Sequence, residues 1–207
     1  MDSITTPYSE CIQFLVDNIQ LDPYFKEFFQ WGLQNNVPVV VLSGGMEPII
    51  KALLKALVGP DAEKMQVIGN YVKARPGKSI DDVGGWQIDF RHPESGHGHD
   101  KSVELRQYSS LPKDIRPTMF YAGDGVSDLS AAKETDLLFA KKGHDLIRYC
   151  VREDVPFNVF EDWSSILATT KDIVNGKISV QDAARQGYES YKNGAAGIHV
   201  PQHTHEL

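Results

Sequence analysis

Two carboxylates among glycines stand out in the segment GDGVSD, residues 123–128. Asp124 and Asp128 are four residues apart, after an apolar run and at the start of a helical pattern. Carboxylate oxygens are the hard ligands that Mg²⁺ prefers. Asp128 could instead cap the following helix, and Asp124 could simply fill the turn. Paired acids beside glycines at the end of a strand favour the metal site.

A hydroxyl followed by two glycines, Ser43-Gly44-Gly45, comes directly after another apolar run. A helical pattern follows it, so backbone N–H groups and the positive end of a helix would face this segment. That combination suits an anion such as phosphate. The alternative is an ordinary tight turn with no ligand.

Lys101 is the third candidate and lies in the segment GHDKS, residues 98–102. A lysine here could neutralise phosphate charge or hold a carboxylate in place. The alternative is a solvated surface side chain, which is the usual environment of a lysine.

Six of the seven histidines occur in two groups, one near residue 95 and one in the C-terminal tail. The members are His92, His97 and His99, and then His199, His203 and His205. Zinc binding is conceivable, but no matching cysteine pattern or HExxH motif accompanies them. We therefore interpret these histidines as polar loop residues.

The elements that carry these residues alternate between strands and helices, which predicts an α/β fold with a mostly parallel sheet. Two helices are expected before residue 35, and an antiparallel hairpin between residues 67 and 91. Continuous apolar runs predict buried parallel strands, and amphipathic stretches predict the helices between them. The strands are expected at 37–42, 117–122, 137–139 and 157–160, and the helices at 49–57, 129–133 and 145–152. Ligands bind at the carboxyl ends of such strands, so Ser43, Lys101 and Asp124 are expected at one sheet edge.

Composition narrows the class of protein. The chain has 207 residues, is 41% hydrophobic and 24% charged, and carries a formal net charge of −7. These values exclude a disordered chain and argue against nucleic acid as a main partner. No run of eighteen apolar residues and no secretory signal pattern are present, so no membrane partner is expected. Two cysteines, Cys11 and Cys150, indicate a reduced, cytoplasmic setting.

The order of these segments resembles motifs two, three and four of the haloacid dehalogenase (HAD) superfamily. The matching stretches are VVVLSGGMEPII, GHDKS and YAGDGVSDLSAA, followed by DLLFAKKG. The similarity is greatest to the phosphoserine-phosphatase-like branch, and within it to fungal HAD-like hydrolases with a GHDKS segment. It covers about residues 1–175 and implies a Rossmann-like core with a β-hairpin. Residues 1–21 would be the remnant of a helical cap, 22–185 the core and 186–207 a flexible tail.

The resemblance also implies roles for individual residues. Ser43 and Gly44 would bind the transferred phosphoryl group, and Lys101 would bridge phosphate and nucleophile charge. Asp124 would bind Mg²⁺ directly, and Asp128 would support the metal shell. The implied cofactor is Mg²⁺, and the implied partner is a phosphorylated small molecule.

The sequence departs from the family at its nucleophile motif, because it contains no Asp-x-Asp. In the family, DxDx[TV] ends the first central strand, and its first Asp attacks phosphorus while its second transfers the proton. We therefore expect this chain to lack that strand and most of the cap, and to self-associate through the incomplete sheet. One hypothesis is a Mg²⁺-dependent phosphomonoester hydrolase that is truncated and inactive alone. The alternative is a non-catalytic HAD-like module that binds phosphate or metal for regulation.

Overall fold

The computed structural model describes residues 3–96 and 98–195. The chain divides into two compact units, Met1–Glu104 and Leu105–Leu207. Each unit has its own three-stranded sheet, with strand order β1-β2-β3 in the first and β4-β5-β6 in the second. None of the helices in the described ranges is long and apolar enough to cross a membrane.

The first unit combines a mixed sheet with helices. The helices are α1 (Tyr8–Asn18), α2 (Phe25–Gln34) and α3 (Glu47–Val58), and α4 (Lys101–Ser109) begins at its end. The strands are β1 (Val40–Met46), β2 (Gln66–Ala74) and β3 (Trp86–Asp89). Strand β2 pairs parallel with β1 and antiparallel with β3, which confirms the predicted hairpin. A core cluster of Tyr8, Met46, Ile49 and Trp86 fixes α1 and α3 on this sheet.

Strand β1 differs from the strand predicted at 37–42. It begins at Val40 and continues through Ser43-Gly44-Gly45 to Met46, so these three residues lie in an irregular strand end rather than a turn. Val40 is 47% exposed, so the expectation of a strand covered on both faces is wrong here. The physical reason is its position, because among the described residues β1 pairs on one side only, with β2.

The second unit is a parallel sheet with its helices. The strands are β4 (Phe120–Gly123), β5 (Leu137–Lys141) and β6 (Asn158–Phe160). The helices are α5 (Asp128–Ala132), α6 (Asp145–Arg152), α7 (Trp163–Val174) and α8 (Val180–Ala195). The central strand β5 is buried over Leu137–Ala140, as its continuous apolar run predicts. Around it pack Leu146, Cys150 and Phe157, which are fully buried.

Helix α8 corrects one boundary of the sequence prediction. It continues to Ala195, so the expected start of a flexible tail at residue 186 is wrong. Tyr188 and Tyr191 pack against Phe157, with ring centroids 5.6 and 5.0 Å apart, and this contact stabilises the added turns. The rest of the predicted tail, residues 196–207, lies outside the described residues. The boundary of the cap remnant at residue 21 stays a prediction.

Candidate functional site

The irregular end of β1 presents Ser43 and Gly44 with room beside them. The Ser43 hydroxyl oxygen accepts the N–H of Gly45 at 3.0 Å. A hydroxyl that accepts one hydrogen bond still has its own proton to donate. A Cβ added at Gly44 would meet nothing within 4 Å, so this backbone borders open space. The segment can therefore offer donors to an anion.

A buried asparagine holds this segment from the inside. Asn70 on β2 is 1% exposed, and its Nδ2 donates to the Gly44 carbonyl at 2.8 Å. Its Oδ1 accepts the backbone N–H of Arg91 at 2.9 Å. The neighbouring Gly69 allows the close approach, because a Cβ there would lie 2.8 Å from the Gly45 carbonyl oxygen. Asn70 thus ties the end of β1 to the chain that follows β3.

A buried histidine holds the adjacent carbonyl. His99 is 2% exposed, and its Nδ1 lies 2.6 Å from the carbonyl oxygen of Ser43. The carbonyl can only accept, so Nδ1 carries the proton and donates it. Burial lowers the pKa of His99, which keeps the ring neutral near pH 7. Its Nε2 is buried and has no hydrogen-bond partner among the described residues.

Lys101 lies two residues after His99, at the first position of α4. It is 9% exposed, which contradicts the solvated surface alternative. The preceding Asp100 is engaged locally, because its Oδ1 accepts the N–H of Ser102 at 2.9 Å and the Ser102 hydroxyl at 2.7 Å. His92 Nδ1 in turn accepts the N–H of Asp100 at 3.1 Å. The start of α4, and Lys101 with it, is therefore fixed by side chains.

His92, His99 and Glu104 bring potential ligand atoms within 4.8 Å of one another, which raises the question of a metal. Two hydrogen bonds argue against one. Because His92 Nδ1 accepts the Asp100 N–H, its proton sits on Nε2, 3.6 Å from Glu104 Oε1. That carboxylate oxygen already accepts from Arg91 Nε at 2.5 Å. The group is a hydrogen-bonded support for α4, and His97 and the tail histidines lie outside the described residues.

In the second unit, Asp128 organises the loop that carries Asp124. Asp128 is 3% exposed, and its Oδ2 accepts the N–H groups of Asp124 and Gly125, each at 2.9 Å. Its Oδ1 accepts the hydroxyl of Tyr121 at 2.6 Å. Burial raises the pKa of Tyr121, so the phenol stays protonated and donates. Both oxygens of Asp128 therefore bind groups of the loop and β4, which suits a supporting role.

Asp124 presents its carboxylate outward from this fixed loop. Its side chain is 63% exposed, and Oδ2 lies 3.6 Å from His144 Nδ1. Its backbone carbonyl accepts the N–H of Leu146 at 3.0 Å, so the residue is held from both sides. An exposed carboxylate on a rigid backbone fits a direct ligand of Mg²⁺, which takes few protein ligands and keeps several waters.

The predicted residues thus fall into two sets, one in each unit. Ser43, Gly44 and Lys101 belong to the first unit, where His99 links the Ser43 and Lys101 segments. Asp124 and Asp128 contact one another in the second unit. The meeting of the two sets at one sheet edge stays a prediction.

The chain is similar to known proteins at the level of family, sequence and structure. The family model for haloacid dehalogenase-like hydrolases matches residues 1–133. The chain belongs to this family. Among the relatives of this HAD-like chain is polyol phosphate phosphatase PYP1 of Saccharomyces cerevisiae, 46% identical over 88% of this chain and 76% of the relative. Pdp3-interacting factor 1 of Schizosaccharomyces pombe is 44% identical over 80% of this chain and 70% of that protein.

Solved structures support the same fold for this HAD-like chain. A crystal structure of phosphoserine phosphatase in apo form superimposes with a TM-score of 0.53 at 15% identity, covering 81% of this chain and 76% of that chain. The predicted family and its phosphoserine-phosphatase-like fold, an α/β core with mostly parallel strands, are therefore confirmed.

Proposed function

We propose that this chain carries the phosphate-binding and Mg²⁺-binding residues of a phosphomonoester hydrolase that acts on a small phosphorylated polyol. The observation that carries the proposal is the hydrogen bond between His99 and the Ser43 carbonyl, which links the Ser43-Gly44 segment, bordering open space, to the start of α4, where Lys101 lies. The Ser43 hydroxyl still has its own proton to donate and the lysine side chain carries positive charge, so these two segments suit an anionic ligand. The identity of 46% to a polyol phosphate phosphatase supports the polyol class.

Each residue has a separate task in this proposal. The Ser43 hydroxyl and Gly44 N–H donate to phosphoryl oxygens, and Lys101 neutralises their charge. Asp124 holds Mg²⁺, which supplies further charge neutralisation when bound, and Asp128 keeps the Asp124 loop in place. Fixed donors and charges of this kind account for most of the catalysis of phosphoryl transfer.

The carboxylate nucleophile of the family has no counterpart in these 207 residues, which contain no Asp-x-Asp. Asp100, the acid next to Lys101, already accepts two hydrogen bonds from Ser102. The two missing roles are covalent attack and proton transfer, and the second alone contributes about 10²–10⁴-fold. The chain assayed by itself is therefore proposed to bind its ligand without turning it over.

Calorimetry and a phosphate-release assay test the proposal on the same preparation. A sugar-alcohol phosphate should bind in the presence of Mg²⁺, and the free sugar alcohol should not. Lys101→Met should weaken binding by about 10- to 100-fold, as expected for a charge-assisted hydrogen bond, while Lys101→Arg should retain more of it. Absence of binding by the parent chain would contradict the proposal, and release of phosphate at an enzymatic rate would contradict the missing nucleophile.

The absence of Asp-x-Asp also favours a second candidate, a HAD-like module that binds phosphate or metal without catalysis. Both candidates predict the same ligand binding, so binding does not separate them. Turnover by the complete product of the gene does, together with the reading frame before Met1. An in-frame DxDx[TV] after an apolar run supports the hydrolase, and its absence supports the binding module.

We also assign the protein to the cytoplasm. Cys11 and Cys150 are both free thiols, and Cys150 is buried. Burial raises the pKa of the Cys150 thiol to about 11, which keeps it protonated and unreactive. Two unpaired thiols are typical of a reducing compartment.

A further inference from the structure

The hydrogen bond between His99 and Ser43 replaces a contact that the sheet does not provide. Strand β1 pairs with β2 through Val40, Val41 and Leu42, and again at Met46. The register shifts between Leu42 and Met46, so Ser43 lies in the stretch where the regular ladder is interrupted. The partner of its carbonyl oxygen is the imidazole of His99, at 2.6 Å.

The loop after β3 is built so that His99 reaches this carbonyl. The chain folds back on itself, with the N–H of His92 donating to the Gly98 carbonyl at 3.0 Å. Gly98 has φ +70°, and a Cβ there would lie 2.2 Å from the ring of Phe90. Glycine adopts this left-handed conformation without strain and leaves room for the Phe90 ring. The His99 and His92 rings lie 5.3 Å apart, and His92 holds the N–H of Asp100.

His99 therefore stands between two candidate phosphate ligands. It is joined to Lys101 through Asp100 along the chain, and to Ser43 by a hydrogen bond that is shielded from water, since the residue is 2% exposed. Hydrogen bonds in a dry interior are stronger than those in water. A displacement of His99 would move Ser43 relative to Lys101.

We propose that His99 is a positioning residue, which holds the Ser43 segment in register with Lys101 so that both bind the same phosphoryl group. This inference rests on the proposed function of Ser43 and Lys101. His99 itself does not contact the ligand, because its one bonded nitrogen faces the Ser43 carbonyl and the other is buried.

The test compares three substitutions of His99 in the full chain. His99→Leu removes the donor and keeps an apolar side chain. His99→Asn places an amide N–H at about the position of Nδ1, whereas His99→Gln places its amide near the position of Nε2. Calorimetry with inorganic phosphate and, separately, with Mg²⁺ gives the two affinities, and thermal unfolding reports the stability of each variant.

We expect His99→Leu to weaken phosphate binding by about tenfold, which corresponds to about 1.4 kcal/mol, since a buried hydrogen bond is lost and the Ser43 carbonyl is left unsatisfied. His99→Asn should return to within about threefold of the parent by the same measure. Mg²⁺ affinity should stay unchanged in both, because the assigned ligand Asp124 belongs to the other unit. If His99 were merely structural, its substitution would lower stability and would not weaken phosphate binding selectively over Mg²⁺ binding.

Each outcome either supports or overturns the positioning role of His99. Parent-like phosphate affinity in a folded His99→Leu variant overturns the proposal. If the leucine variant does not fold, Asn and Gln decide, because equal phosphate affinity in the two amides overturns positioning through Nδ1. Failure of the proposed function looks different, since then the parent does not bind phosphate or Lys101→Met binds it unchanged.

Discussion

The Tyr121 hydroxyl supports the candidate metal ligand Asp124 indirectly, through Asp128. It donates to Asp128, which accepts the N–H of Asp124, so the phenol helps to fix the Asp124 backbone. We expect Tyr121→Phe to weaken Mg²⁺ binding severalfold, because a hydrogen bond to a charged group contributes about 1.5–3 kcal/mol and part of it orders this loop. Isothermal titration with Mg²⁺ measures the effect.

The matched control is Tyr108→Phe, at a tyrosine that is 40% exposed in the same unit. It should leave Mg²⁺ affinity unchanged. Equal affinities in both variants and the parent would remove Tyr121 from the support of Asp124.

Burial of the His99 imidazole should also make the stability of the fold depend on pH. Burial lowers its pKa from the ordinary value of 6.5, so the folded protein binds fewer protons at this residue than the unfolded chain. The free energy of unfolding should therefore fall as pH drops below about 6.5, where only the unfolded imidazole is protonated. Urea unfolding between pH 8 and 5 measures the slope. His99→Asn should have a shallower slope, and an identical slope would show that other groups cause the pH dependence.

Among the residues of the candidate site, the sequence pointed to those whose side chains commonly bind phosphate or metal. Ser43 and Asp124 lie beside glycines at the ends of apolar runs, and Asp128 follows Asp124 by four residues, whereas Lys101 was supported by the family resemblance. Asn70 was missed although a polar residue inside a strand pattern was a usable signal. His99 was assigned to loop polarity, because its partner is a backbone carbonyl 56 positions away, which no local pattern encodes.

At the level of elements, β4 and its loop depend on a glycine at the strand end. A Cβ at Gly123 would lie 2.6 Å from Cγ of Asp128. We expect Gly123→Ala to lower the free energy of unfolding by about 1–3 kcal/mol, as overpacking does, and to weaken Mg²⁺ binding because Asp128 must move. Gly125→Ala is the control for stability, since its Cβ would come no closer than 3.9 Å to Asp128. Denaturant unfolding of the two variants measures the difference, and equal stabilities would contradict the packing explanation.

The helices and strands that could be predicted from the sequence are those that a single local pattern determines. Helix α6 spans Asp145–Arg152 as predicted, and β5 is buried as its apolar run requires. Strand β1 was placed three residues too early and thought to be covered on both faces, because an apolar run indicates a strand but not how many neighbours it has. Its irregular end depends on Asn70 and His99, which come from distant parts of the sequence.

At the scale of the whole molecule, the two sheets have edge strands with unpaired backbone groups in the part of the chain that the structure describes. Strands β1 and β4 each pair on one side only within the described residues, and Val40 on β1 is 47% exposed. Unpaired edges with apolar side chains template association with another chain. We expect the isolated chain to self-associate with increasing concentration in sedimentation velocity runs. Val40→Lys should reduce association without loss of helix content, and a parent that stays monomeric throughout would contradict the expectation.

The hydrogen bond from the Gly125 N–H to Asp128 also bears on how the protein ages. Asp-Gly sequences convert slowly to isoaspartate: the glycine nitrogen attacks the preceding side-chain carboxyl, water is expelled and a succinimide forms, and hydrolysis then opens this ring to isoaspartate. In this loop that nitrogen is held 2.9 Å from the Asp128 carboxylate, which disfavours both its deprotonation and its rotation toward Asp124. The contact that orients the candidate metal ligand therefore also protects it from a covalent change that would displace its carboxylate.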